Sequence, residues 1–121
     1  MLARNSCYFR LEVNAGHTDS DGGYSGAVSI REGLISYYGG TPRVLNNAET
    51  RNLAGSVNAG VIATAVTTDV VTGTSGGTST LVFRATVTMT GSASGSTVPR
   101  VSYRLSILSN SSSSVTVASN I

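Results

Sequence analysis

Two segments decide the fold of this chain: LVFRATVTMT at residues 81–90 and VPRVSYRLSIL at residues 98–108. Each alternates apolar with polar residues, which is the period of a β-strand, since successive side chains point to opposite faces. We interpret them as the two arms of one β-hairpin whose apolar rows face a core. The polar rows would then bring Arg84, Arg100 and Arg104 onto one surface among serines and threonines, with no carboxylate beside them.

The composition agrees with a β-rich fold. The chain has 121 residues, which fits a single domain over 1–121, and it contains 19 Ser, 15 Thr and 14 Gly. Threonine and valine favour strands because their branched Cβ fits a pleated surface, whereas glycine favours turns. The sequence therefore predicts an all-β, antiparallel sandwich or flattened barrel of about six to eight strands, with at most one short helix.

Other segments complete this prediction. The one candidate helix lies over Asn46–Ser56, where Asn46 and Glu49 have the spacing of a capping box, and an irregular crossover is the alternative because its apolar residues are few. Gly33 is expected to turn a tight hairpin, and 15–23 and 73–80 are expected to be loops. The lone Cys7 is expected in the core. Further strands are predicted at Ser6–Asn14, Tyr24–Arg31, Leu34–Tyr38, Gly60–Thr72 (buried on much of both faces) and Val115–Ile121.

The positive charge of the chain comes from arginine alone. There are eight arginines, no lysine and a net charge of +2. Beyond residue 60 the charged residues are Arg84, Arg100, Arg104 and a single carboxylate, Asp69. Guanidinium groups bind phosphate in a planar fork, so these three arginines are predicted to contact nucleic acid, with Tyr8 or Tyr24 stacking a base. The alternative is a solvated sheet face whose arginines pair with carboxylates elsewhere.

Candidate catalytic and metal-binding residues are few. His17 lies beside Asp19 and Asp21, but one histidine cannot supply a multi-histidine zinc site, and no glutamate completes a calcium loop. Residues 73–77 match the G-x-S-x-G pattern without the helix and later histidine that it requires. We therefore expect no enzyme activity, no catalytic residues, no metal and no cofactor. No stretch approaches the roughly 20 apolar residues of a membrane span, so no membrane partner is expected.

The chain resembles small bacteriophage virion proteins, coat or decoration subunits, in its size, its Ser/Thr/Val/Gly composition and its arginine-bearing strands. The segment with Arg84, Arg100 and Arg104 is similar to the genome-facing sheet of single-stranded RNA phage coats, although those coats end in a helical pair and this chain ends in a serine run and a strand. The resemblance implies a non-enzymatic virion protein, made in the host cytoplasm. Its expected partners are copies of itself, other virion proteins and genomic nucleic acid.

A second interpretation stays open. The chain can also be a carbohydrate- or receptor-binding β-sandwich module of the tail-fibre or adhesin type. It would use the loops 15–23, 73–80 and 91–97, with Tyr37 and Tyr38 as stacking platforms. In either case the expected strand Val115–Ile121 must pair with its own sheet or with the edge of a neighbour.

Overall fold

Six strands and no helix are present in the residues that the structure, a computed structural model, describes: 5–18, 23–38, 41–57, 63–90 and 100–109. These ranges hold no helix long and apolar enough to cross a membrane. The predicted strand Val115–Ile121 and loop 91–97 lie outside them. The strands are β1 (Asn5–Thr18), β2 (Tyr24–Tyr38), β3 (Thr41–Val57), β4 (Ala63–Ser75), β5 (Thr78–Thr90) and β6 (Arg100–Ser109).

The strands form two antiparallel sheets. A four-stranded sheet has the order β3-β2-β1-β6, and a two-stranded sheet pairs β4 with β5. β4 lies across β1, β2 and β3, so that the two sheets face each other as layers. The prediction of an all-β, antiparallel sandwich or flattened barrel of about six to eight strands is confirmed, with six strands in the described ranges.

The core is formed by the alternating apolar residues that face between the layers. On β1 this row runs through Phe9, Leu11, Val13 and Ala15, all buried, and Cys7 is buried in the same row. The strand predicted at Ser6–Asn14 is therefore confirmed, and it continues to Thr18 instead of ending in a loop at Ala15. A cluster joins the layers: Leu11, Val13, Ala15, Ala27 and Val66, with Phe83, Val87 and Leu105 packed against it.

Polar contacts also join the layers. The hydroxyl groups of Ser25 and Thr64 are 2.6 Å apart, and those of Ser29 and Thr68 are 2.7 Å apart, both pairs buried. On β4 only the row of Thr64, Val66, Thr68 and Val70 is buried. The predicted burial of this segment on both faces is therefore wrong, because no further layer of the described chain covers its outer face.

The predicted hairpin at Gly33 is wrong. β2 continues through Gly33, which pairs with Phe9 on one side and Asn47 on the other. A Cβ added at Gly33 would lie 2.8 Å from the Cα of Asn47 and would also meet the carbonyl oxygen of Asn46. The glycine therefore allows β3 to approach closely beside a register shift, and it does not form a turn.

The predicted helix over Asn46–Ser56 is also wrong, because this segment belongs to β3. Most of its inner-facing side chains are polar, and two of them bind other strands. The Asn52 side-chain amide donates to the carbonyl oxygen of Val66 (2.9 Å), and Arg31 donates to the side-chain oxygen of Asn47. Pairing with β2 along the whole strand outweighs a weak capping signal. Pro42 is tolerated because it lies near the start of a strand at the sheet edge.

The predicted hairpin of residues 81–108 is wrong as well. β5 pairs with β4, whereas β6 pairs with β1 in the other sheet. A two-residue turn connects β4 to β5, with Gly76 and Gly77 at φ values of 58° and 81°, so most of the predicted loop 73–80 is hairpin ladder. Short loops cost the least entropy to close, which favours this pairing. The two apolar rows do share a core, but they reach it from opposite layers.

Candidate nucleic-acid interface

The three arginines predicted to share a surface are divided between the layers. Phe83 and Leu105 both pack on the core, so the alternate residues Arg84 and Arg104 point outward from opposite sheets. Arg100 lies on the same outer face as Arg104. The common, carboxylate-free surface is therefore wrong: Arg84 donates to Asp69 at 3.0 Å, and Arg104 lies opposite Glu12 in the ladder.

A different set of arginines shares one surface. Strand alternation and register place five of the seven arginines in the described ranges on the outer face of the four-stranded sheet. Two glutamates, Glu12 and Glu32, lie on the same face, so its formal charge is +3. We call this surface the basic face, and its arginines are Arg10, Arg43, Arg51, Arg100 and Arg104.

Both glutamates of the basic face are held at its centre. Arg10 Nε lies 3.6 Å from Glu12 Oε1 and 3.9 Å from Glu32 Oε1, and the Tyr8 hydroxyl donates to Glu32 Oε1 at 2.6 Å. That hydrogen bond lowers the pKa of the Glu32 carboxyl and raises the pKa of the Tyr8 phenol. The negative charge is therefore concentrated around Arg10.

Four arginines flank this centre. Arg43 and Arg51 are exposed on β3, at one edge of the sheet, and Arg100 and Arg104 are exposed on β6, at the other. Within the described ranges none of the four has a carboxylate within ion-pair distance. Three inter-strand steps separate β3 from β6, which is about 14 Å. The basic face therefore carries two cationic edges on either side of a centre in which Arg10, Glu12 and Glu32 leave one net negative charge.

Two exposed tyrosines lie on the same face. Tyr8 on β1 and Tyr24 on β2 both point outward, and Tyr24 is the more exposed. The Tyr8 ring is oriented by its hydrogen bond to Glu32. Aromatic rings beside guanidinium groups suit unpaired bases, which stack on any flat π-surface.

The outer face of the two-stranded sheet is electrically neutral. Its two charged side chains in the described ranges, Arg84 and Asp69, pair with each other across the ladder, and the hydrogen bond from Arg84 lowers the pKa of the Asp69 carboxyl. Exposed threonines fill much of the rest, including Thr67, Thr86 and Thr88. The described layers thus present two outer faces of different charge.

The chain matches no family model, no curated protein and no solved structure. The arrangement of its own side chains is therefore what bears on function.

The residues considered for catalysis do not form a site in the described part of the chain. His17 and Cys7 are buried between the layers, and no three potential metal ligands come together in those ranges. Residues 73–77 end a strand and enter a hairpin turn, not the helix that a nucleophile elbow requires. Asp19 and Asp21, and the side chains of Tyr37 and Tyr38, lie outside the described residues.

Sequence reasoning missed three arginines of the basic face. Arg10 was in the polar row of a correctly predicted strand, so its outward direction could have been inferred. Arg51 was placed in the helix predicted over Asn46–Ser56, and Arg43 lay just before it. Neither was therefore assigned to β3, the strand that carries both. The pairing of β6 with β1 joins these arginines to Arg100 and Arg104, and a long-range pairing of this kind has no local signal in the sequence.

Proposed function

We propose that this chain is a self-assembling structural subunit of a virus or phage particle and that its basic face contacts the packaged nucleic acid. The observation that carries the proposal is the difference between the two outer faces. One has five arginines against two glutamates, and the other has a single neutralised ion pair. A subunit that contacts packaged nucleic acid needs an excess of positive charge on the face that meets the phosphates.

Phosphate binding gives a role to the four arginines at the edges of the basic face. Arg43, Arg51, Arg100 and Arg104 are solvent-exposed and lack a carboxylate partner in the described ranges, so their guanidinium groups are available to phosphate oxygens. Phosphate contacts fix the position of the nucleic acid without reading its sequence, and they release condensed counterions. The expected binding is therefore salt-dependent and of low sequence specificity.

Exposed strands and apolar side chains support self-assembly. No described strand pairs with the outer edge of β3, which is 17 residues long, and an open edge can pair with another chain. Leu45, Leu53 and Val57 on β3 and Leu108 on β6 are exposed. Association of copies along these edges would bury apolar surface and continue the basic face from subunit to subunit.

The proposal is tested on the purified full chain by electron microscopy, light scattering and the nucleic acid that co-purifies. We expect particles that contain nucleic acid, released progressively as salt is raised. Replacing the four flanking arginines with serine should remove most of that nucleic acid, whereas the matched control Arg84→Ser, on the neutral face, should retain it. A monomer at high concentration, or equal nucleic-acid loss in both variants, contradicts the proposal.

The second candidate is a carbohydrate-binding module. An open cleft of about 400 Å³ lies between the start of β3 and the end of the β4–β5 hairpin, and hydroxyl side chains make up most of its lining: Thr41, Thr72, Thr74, Ser79 and Thr80, with Pro42 and Gly73. Hydroxyl groups can bind sugars. Glycan-array binding by the full chain that is lost in a Thr72→Val/Thr80→Val variant would favour this candidate over a particle subunit.

A further inference from the structure

The basic face also carries a strip of apolar side chains. It lies on the outer rows of β2 and β3, and we call it the apolar strip: Tyr24, Val28, Ile30, Leu53 and Val57. Tyr24 is 53% exposed and Leu53 is 55% exposed. β4 and β5 pack on the other side of this sheet, so no described strand covers the strip. Antiparallel sheets normally carry polar residues on the side that meets water, so an apolar row there is typical of a binding surface.

The ladder between β2 and β3 gives the strip its shape. Three directly opposed pairs follow one another on the outer face: Tyr24–Val57, Gly26–Gly55 and Val28–Leu53. The first and third pairs are about 14 Å apart along the strands, and bare backbone lies between them. A Cβ would fit at either glycine without a close contact, so the packing of the described chain does not require them. The strip thus contains a shallow slot in which a flat group can lie against the backbone.

Arginines flank the strip on both sides. Arg51 lies opposite Ile30 on β3, and Arg104 lies in the same cross-strand row on β6. Arg100, also on β6, lies in the row of Gly26. Two inter-strand steps separate β2 from β6, which is about 10 Å. A ligand that matches this surface therefore combines flat apolar groups with negative charge at its sides.

We infer that the basic face binds single-stranded nucleic acid, with bases over the apolar strip and phosphates on Arg51, Arg100 and Arg104. The inference rests on the proposed function, because it names the class of nucleic acid that the same face takes. Unpaired bases stack on aromatic side chains and pack on apolar ones, and each nucleotide brings its own phosphate. Tyr24, the more exposed of the two tyrosines on this face, is the stacking platform.

A duplex matches this surface less well. Its bases stack on one another in the interior, so a flat sheet would meet mainly phosphates and sugars and would leave the apolar strip unmatched. Beside the strip, Glu12 and Glu32 outnumber Arg10, and this negative charge repels phosphates that cross the centre of the face.

A second copy of the chain is also a poor match for the strip. Stacking two basic faces would bring together two surfaces that each carry five arginines against two glutamates. Pairing of copies along the β3 edge is different, because it uses backbone groups in the plane of the sheet and leaves the strip on the open face.

Fluorescence anisotropy of the full chain with labelled oligonucleotides tests the inference. Single-stranded RNA and DNA should both bind more tightly than the duplex of the same sequence. Tyr24→Ala should weaken single-strand binding by about 5- to 150-fold, the range measured for loss of a stacking ring. The slope of log affinity against log salt concentration should not change, because stacking releases no counterions. Tyr24→Phe, which keeps the ring, should bind like the parent.

Leu53→Ser is a second variant of the strip, and its side chain is exposed, so the fold should be retained. It should weaken single-strand binding, again without a change in the salt slope. The matched control is Val82→Ser, an exposed apolar residue on the neutral outer face of the other sheet, and it should leave the affinity unchanged.

The failure of this inference is distinguishable from the failure of the proposed function. Equal or tighter binding of the duplex overturns the inference, as does single-strand binding by Tyr24→Ala and Leu53→Ser that equals that of Val82→Ser. If the four-arginine serine variant still loses affinity in that case, the proposed contact with nucleic acid stands without the strip. If the four-arginine variant keeps its affinity, the proposed function fails. Binding to phosphatidylserine vesicles that is lost in Leu53→Ser, without loss of oligonucleotide binding, assigns the strip to a lipid surface and also overturns the inference.

Discussion

Phe9 of β1 and Phe83 of β5 contact each other edge to face, with ring centroids 5.1 Å apart and an interplanar angle of 67°. Phe9 is fully buried, and Phe83 packs against the core from the opposite sheet. The pair therefore joins the two layers at the end of the sandwich where β6 finishes. Aromatic pairs in this orientation add about 0.5–1.5 kcal/mol beyond the burial of their surface.

Truncating Phe9 should destabilise the fold, because this ring connects the two layers. Phe9→Ala should cost about 3–5 kcal/mol, because it removes a fully buried ring and leaves a cavity. The measurement is urea denaturation followed by circular dichroism. Leu108→Ala, at a side chain that is 71% exposed, is the control and should change stability by less than about 0.5 kcal/mol. Similar losses in both variants would mean that Phe9 is not a core residue.

Gly33 should tolerate no side chain, although it lies inside a strand. Gly33→Ala places a Cβ against the backbone of Asn46 and Asn47, which cannot move aside without breaking the β2–β3 ladder. A loss of about 1–3 kcal/mol is expected in a denaturation curve. Gly55→Ala in β3 is the matched control, since nothing lies within 4 Å of its Cβ position. It should be neutral or slightly stabilising, because glycine weakens a strand interior.

Local patterns predicted the alternating strands β1, β5 and β6 well and the pairing of β5 and β6 poorly. The alternation of Cys7, Phe9, Leu11 and Val13 identifies β1, because one face of a half-buried strand must be apolar. Alternation specifies which side chains face the core, but it does not specify from which layer they come. The rows of β5 and β6 are thus equally consistent with a hairpin and with opposite sheets.

The errors at Gly33 and over Asn46–Ser56 have a related cause. A glycine required by a close neighbour and a glycine required by a turn are the same letter in a sequence, and only the position of β3 distinguishes them. The polar inner row of β3 gives no strand pattern, because Asn47 and Asn52 bind partners on β2 and β4. The basic face was missed for the same reason: its arginines come together through long-range pairing.

Acid should weaken the contact between β3 and β2. Ser29 donates to Glu49 at 2.7 Å, and this hydrogen bond lowers the pKa of the Glu49 carboxyl below its ordinary value of 4.5. A carboxyl whose pKa is lower in the folded state stabilises the fold above its unfolded pKa, and the contribution is lost as pH falls through the folded pKa.

The melting temperature of Glu49→Gln, compared with the parent from neutral pH to about pH 3, tests this. The amount by which the parent's melting temperature exceeds that of Glu49→Gln should be constant near neutral pH. It should shrink as the pH falls below the ordinary glutamate pKa. Ser29→Ala is the companion variant. It keeps the carboxylate but removes its main donor, so it should lose the largest part of the same pH-dependent component. An advantage that grows on acidification would contradict the assigned direction of the pKa shift.

Salt dependence should distinguish the arginines of the two edges from Arg84. For a single-stranded oligonucleotide, each phosphate contact contributes about 0.7 to the slope of log affinity against log salt concentration. Arg100→Ser with Arg104→Ser should therefore reduce the slope by about 1.4, and so should Arg43→Ser with Arg51→Ser if the nucleic acid spans the sheet. Arg84→Ser should leave the slope unchanged, because that guanidinium lies on the other face and is paired with Asp69. A reduced slope for the β6 pair alone would confine the contact to that edge, and no reduction for either pair would exclude the basic face as the binding surface.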